Sequence, residues 1–292
     1  MVIKKTIVIA GSRGFFGNNL VSYLNKRNVF NIVKIDIDDG LDLSNSDIID
    51  KIKKFDYFVH FANLSSIPDS FLMPQNFYRT NYETTLNALE LCRKYKAKMI
   101  YISSYVYGSP KYLPVDEKHE IVPFNPYAQS KAICEKLCEG YNRDFNIDIT
   151  IFRPFNLYGF KQKTLIIAEI IEKIKKGNKL IQLQSSKPRR DYVNIEDAVN
   201  ALYLAICSNL SGYNVFNIAS NKSYSVKEII VLFKRYLQDK SIKFNINDKN
   251  TRKNEVLETR GSYDLAKEKI GWEPTISFDD GLKEILSKEN IK

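Results

Sequence analysis

The sequence predicts an α/β fold of the Rossmann type, a doubly wound parallel sheet with a smaller C-terminal substrate-binding lobe. Three observations carry that reading. Apolar runs of strand length alternate, through the first half of the chain, with segments whose apolar residues recur at three and four. The runs are nearly continuous in apolar residues, as strands covered by helices on both faces require. A glycine-rich turn, "GSRGFFG" at residues 11–17, follows the first run directly.

In chain order, the expected strands are "TIVIA", "IVKIDI", "YFVHFA", "KMIYIS" and "DITIFR", separated by helical segments such as "FFGNNLVSYLNKRN" and "NYETTLNALELCRKYK". After about residue 155 the rhythm loosens into "LIIAEIIEKIKKG", "LIQLQ", "RDYVNIEDAVNALYLAI", "YNVFNIA", "SVKEIIVLFKRYL" and "FDDGLKEILSK". We therefore expect a dinucleotide-binding domain over 1–155 and a mainly substrate-binding lobe over 156–292, with some later segments free to return to the sheet and a cleft between the two.

The chain has 292 residues, 44% of them hydrophobic, enough for one large or two modest domains with a buried core. Its net charge is +10, but the lysines are interspersed with glutamates, as in "EIIEKIKKGNKL". That scatter argues against a nucleic-acid partner; the positive field suits an anionic small substrate or simply reflects a composition rich in Lys, Asn and Ile. Four cysteines show no CxxC pairing and the two histidines lie far apart, so neither a metal site nor a disulfide framework is expected. With no membrane-length apolar run and only five apolar residues before the first glycine turn, a soluble, cytoplasmic protein is expected. His60 reads as a buried, hydrogen-bonded strand residue and His119, in the polar loop "DEKHEIVP", as solvated. Cys134 and Cys138, four apart on a helical segment, read as packing residues.

Gly11, Gly14 and Gly17 stand between a strand and a helix, where unpaired backbone N–H groups and a partial positive charge suit a pyrophosphate. The same spacing also suits a plain tight turn. Asp36, at the end of the second strand, lies where a ribose diol is held and favours NAD over NADP. Arg13, inside the loop, points the other way, because a guanidinium can neutralise a 2′-phosphate. Asp38 and Asp42 read, on residues alone, as solvated loop carboxylates. Tyr127 and Lys131 in "NPYAQSKAICEKLCEGY" are four apart on one helical face, roughly 6 Å between Cβ atoms. An ammonium there favours the phenolate and brings its proton exchange nearer neutral pH. Ser103, ending the fourth strand, can bond the same substrate oxygen.

Taken together the motifs resemble the extended short-chain dehydrogenases that modify nucleotide-linked sugars, the NAD-dependent epimerase/dehydratase family. "AGSRGFFG", with Phe15 and Phe16, is similar to its TGxxGFxG loop, and "YFVHFAN" to its H-x-A strand end. "NYETT" stands where NxxGT is usual, with Asn81 retained and Thr84 in place of glycine. "SSYVYG", "YAQSK", "FRPFNLYG", "RRDYVNIEDAV" and "GWEPTISFDDGL" follow in the family's order. The resemblance implies Ser103, Tyr127 and Lys131 as a catalytic triad, Asp42 and Leu43 beside the adenine, and Phe61, Ala62 and Asn81 along the cofactor. It further implies Phe155 at the nicotinamide, Ser104 and Asn156 at the sugar or its diphosphate, Arg190 and Arg252 gripping the diphosphate, and a homodimer.

It leaves the reaction open. Ser104 and Tyr105 stand where 4,6-dehydratases usually carry an acidic residue, so dehydration is disfavoured. The preferred expectation, chiefly on Asp36, is a nucleotide-sugar 4-epimerase with tightly held NAD. The alternative is an NADPH-dependent 4-keto-sugar reductase, to which Arg13 and Tyr105 point. A catalytically idle dinucleotide-binding regulator is disfavoured, because Tyr127 and Lys131 are both present.

Overall fold

In the computed structural model, residues 4–184, 187–247 and 256–291 are described. The apolar run at the N-terminus forms β1 (Lys5–Ala10), and the glycine turn leads into α1 (Phe15–Arg27) and β2 (Phe30–Ile35). α2 (Ile48–Lys51), β3 (Tyr57–His60), α3 (Ile67–Leu72), α4 (Pro74–Tyr95), β4 (Lys98–Ile102), α5 (Pro126–Phe145) and β5 (Ile149–Pro154) follow. The second half holds β6 (Asn156–Tyr158), α6 (Leu165–Lys175), β7 (Leu180–Gln184), β8 (Arg189–Asn194), α7 (Ile195–Cys207) and β9 (Tyr213–Ile218). It ends with β10 (Ser223–Ser225), α8 (Val226–Tyr236), β11 (Lys243–Asn247), α9 (Asp264–Ile270) and α10 (Phe278–Lys288).

Six parallel strands form the main sheet in the order β2-β1-β3-β4-β5-β9. Successive residues of a strand face opposite sides, so a strand covered on both sides must be apolar throughout. On β1, Ile7 and Ile9 join Leu20 and Leu24 of α1 and Leu202 of α7, whereas Val8 and Ala10 join Leu89 of α4 and Cys134 and Cys138 of α5. All four cysteines are free thiols, and Cys92, Cys134 and Cys138 are buried.

β7 and β11 pair in a separate two-stranded sheet, and β10, β8 and β6 in a three-stranded one. α6, α8 and α10 pack with these around Tyr158, Phe233 and Phe278. Residues after 156 also return to the first lobe: β9 closes the main sheet beside β5, and Tyr23 of α1 donates to Asn200 of α7 at 2.8 Å. Among the described residues, no helix is long and apolar enough to cross a membrane.

His119 departs from expectation, because it is buried instead of solvated. Its Nε2 accepts from the Lys111 N–H at 2.9 Å, its Nδ1 lies 2.9 Å from the Glu120 carbonyl, and its ring packs against Tyr107 and Tyr112.

Candidate active site

The carboxyl edge of the sheet gathers the residues singled out in the sequence. Gly11 has φ +76°, and a Cβ there would lie 2.8 Å from the Ala62 nitrogen. A Cβ at Gly17 would lie 2.2 Å from the Gly11 carbonyl oxygen, inside any tolerable contact. Internal packing therefore accounts for two of the three glycines. Gly14 differs: it caps α1 with φ −62°, and its Cβ would meet only the Gly11 oxygen, at 3.3 Å. That leaves the N-terminus of a 13-residue helix with an uncovered face beside Ser12, whose hydroxyl is buried with no partner.

Asp36, just after β2, is buried beside this loop and accepts from the Arg13 N–H at 2.8 Å and the Asp38 N–H at 3.2 Å. The Arg13 guanidinium bonds Asp39, whose carboxyl it holds below the usual carboxylate range. Asp42 is exposed and takes the Ser44 N–H and hydroxyl, both at 2.8 Å. Leu43 is buried, its carbonyl accepting from Asn87 at 2.9 Å. Phe61 packs on Phe16 with ring centroids 4.9 Å apart, and Phe15 lines the same core.

Tyr127 and Lys131 sit in the first two turns of α5. That helix starts where it does because Pro126 occupies its first turn and the Asn125 side chain caps the Ala128 N–H at 2.8 Å. Ser103 extends the β4 ladder by donating its N–H to the Phe152 carbonyl at 2.7 Å, and its buried hydroxyl has no partner. The Lys131 ammonium bonds the Asn63 amide oxygen and the Ile102 carbonyl, and lies 4.5 Å from the centroid of the Tyr101 ring. Burial lowers it from 10.5 to about 8, against smaller opposing effects of Cys134, Glu135 and Cys138. The Tyr127 phenol is raised by burial, with a hydrogen bond from Ser104 pulling it partly back. The sequence leads one to expect a phenol lowered by the ammonium; in the structure burial raises it, and the opposing pull comes from Ser104 and not from Lys131.

Asn81 is committed inside the protein, accepting from the Leu64 N–H at 2.7 Å and donating to Ser130 at 2.8 Å. It pins the loop after β3 to α5. Phe155 is buried, edge-on to Tyr105 at 5.2 Å, and Asn156 donates to the Asp191 carbonyl at 2.9 Å. Arg190 donates to the Val256 carbonyl at 2.7 Å. Arg252 lies outside the described residues. Sequence reasoning passed over Asn63, two residues beyond Phe61, because no local spacing marks a loop amide as the partner of a lysine 68 residues later.

A model of the NAD dependent epimerase/dehydratase family matches residues 7–219. The chain is 31% identical to a putative UDP-glucose 4-epimerase of Methanocaldococcus jannaschii, over 96% of this chain and 97% of that protein. It is 28% identical to a GDP-6-deoxy-D-mannose reductase of Pseudomonas aeruginosa, over 96% of each. A solved structure of RMD from Pseudomonas aeruginosa complexed with NADPH superposes with a TM-score of 0.86 at 25% identity, covering 98% of this chain and 99% of that one.

Proposed function

The chain belongs to the NAD-dependent epimerase/dehydratase family, and from that premise we propose that it is a nucleotide-sugar 4-epimerase acting through a transient 4-keto sugar with tightly held NAD. Membership makes it an NAD(P)-dependent enzyme of the short-chain dehydrogenase/reductase type. The residues fit a dinucleotide: the face of the α1 N-terminus at Gly14 is open, and the Ser12 and Ser103 hydroxyls are buried without a protein partner. Arg13, Gly14 and Asp36 would hold the pyrophosphate and adenosine ribose, with Gly11 and Gly17 shaping the loop around them, and Lys131 the second ribose. Bound there, NAD supplies a hydride acceptor at its nicotinamide.

The Tyr127 oxygen takes the proton from the sugar C4 hydroxyl as general base and returns it after the sugar has turned over in the pocket. Ser103 bonds the same oxygen and orients it. Asn156 and Arg190 bind the sugar diphosphate, and Arg252 is expected to join them. Exposed Tyr82 on α4 and Ile133 on α5 suit the homodimer that the family resemblance implies.

The observation that carries NAD, and with it the epimerase, is the buried Asp36 carboxylate beside the glycine loop, which suits a ribose diol and repels a 2′-phosphate. Binding of Arg13 by Asp39 adds to this, since that guanidinium already faces an anion. The reductase reading is favoured by the same arginine, whose side chain is 56% exposed.

Purification without added cofactor, followed by mass spectrometry of the released dinucleotide, separates the two. Retained NAD is the expected result; NADP, or protein free of dinucleotide, favours the reductase. Tyr127→Phe is expected to lower turnover of nucleotide sugars by ~10²–10⁴-fold. Unchanged turnover would overturn both enzymatic readings.

A further inference from the structure

Asn63 opens the loop after β3 and sits in a closed polar cluster. Its amide nitrogen donates to the Ala62 carbonyl at 2.9 Å and to the Thr84 hydroxyl at 3.0 Å, while its amide oxygen accepts from the Lys131 ammonium. An ammonium only donates and a backbone carbonyl only accepts, so chemistry fixes which end of the amide faces the lysine. The Thr84 hydroxyl donates to the Thr80 carbonyl at 2.8 Å, leaving its oxygen to accept from Asn63. The cluster closes on His60, whose Nε2 lies 3.2 Å from the Thr85 hydroxyl and 3.3 Å from the Asn63 nitrogen.

We propose that Asn63 is a positioning residue that holds the Lys131 ammonium through its amide oxygen, with Thr84 fixing the amide in that orientation. Thr84 stands where the family resemblance leads one to expect glycine, and a glycine would leave the Asn63 nitrogen without its hydroxyl partner. The two residues act as a pair.

The surroundings explain why a neutral acceptor serves here. Lys131 faces Cys134, Glu135 and Cys138 from its own helix, His60 from β3 and Tyr101 from β4, with Tyr127 one turn before it. Glu135 is itself neutralised by Arg153 of β5, through bonds of 2.6 and 3.0 Å. His60, fully buried and near the ammonium, is held neutral, its affinity for a proton well below the ordinary value. Among the described residues, no uncompensated carboxylate therefore balances the buried ammonium. The amide dipole steadies the charge without cancelling it, whereas a carboxylate at 63 would cancel it.

The inference rests on the role proposed for Lys131, and its test reads the amine itself, so it fails separately from the reaction assignment. The full-length chain is labelled with 13C-lysine, and the side-chain Cε resonance missing from a Lys131→Met variant is followed against pH, with no nucleotide sugar present. Asn63→Asp is expected to raise the pH of half-titration by at least ~1 unit, a tenfold gain in proton affinity. Asn63→Leu, which keeps the volume and removes the acceptor, is expected to lower it. Thr84→Val, which keeps the shape and removes only the hydroxyl, is expected to shift it the same way by less, and serves if either Asn63 variant does not fold. Folded variants whose Lys131 titrates at the wild-type pH would overturn the proposal.

Discussion

Lys131 carries the pH behaviour of the site. Burial lowers its folded-state value from 10.5 to about 8, so the ammonium predominates below about 8 and is lost above it. We expect kcat/KM for nucleotide-sugar oxidation to fall as pH rises through about 8, as measured across a pH series on the purified enzyme. The same shift has a stability consequence of definite sign: a depressed amine favours folding at high pH, and that contribution is lost as pH falls from 10.5 through about 8. At this scale the sequence was readable where local spacing sets geometry, as for Tyr127 and Lys131 one helical turn apart. It was silent where a long-range contact decides. The role of Asn63 depends on α5 docking against the loop after β3; His119 is buried instead by near neighbours, Tyr107 and Tyr112, in a loop with no periodic signal to mark it.

The helix that presents the tyrosine and lysine is anchored at its start and along its buried face. Asn125→Ala removes the cap on the Ala128 N–H and is expected to cost about 1 kcal/mol in urea unfolding followed by circular dichroism. Further along, Glu135 of α5 and Arg153 of β5 form a buried bidentate pair, and Arg153 also donates to Tyr107 at 2.8 Å. Arg153→Met strands the carboxylate and is expected to cost about 3–5 kcal/mol by the same measurement. Arg153→Met with Glu135→Leu is expected to recover most of that loss, because an apolar pair leaves no charge uncompensated. β1, β3, β4 and β5 were legible because strands buried on both faces cannot avoid apolar runs. The three-residue strands β6 and β10 carry no such signal, since half-buried residues and long-range pairing define them. The run "YNVFNIA" reads as a strand, but nothing in it says that it closes the main sheet beside β5.

Across the whole molecule, Asp191 of β8 joins segments from three parts of the chain. It accepts from the Ser220 N–H and hydroxyl at 2.8 and 2.6 Å, and from the Asn221 and Gly261 N–H groups at 3.1 Å. Burial outweighs these bonds and raises its carboxyl to about 6. A raised carboxyl favours the fold while protonated, so this contribution is lost as pH rises from 3.8 through about 6. Asp191→Asn is expected to remove that part of the pH slope, and at neutral pH to cost about 1–3 kcal/mol by turning an amide nitrogen toward backbone donors. Unfolding curves recorded at several pH values check both. The placement of β9 also has a bearing on biosynthesis. A ribosome delivers β5 long before residue 213, so the nascent sheet waits with one flank bare, its carbonyls and amides facing any neighbouring polypeptide. A product truncated within that interval would keep this sticky border permanently, and a shortened chain ending near residue 155 would self-associate before it could serve as an independent nucleotide-binding unit.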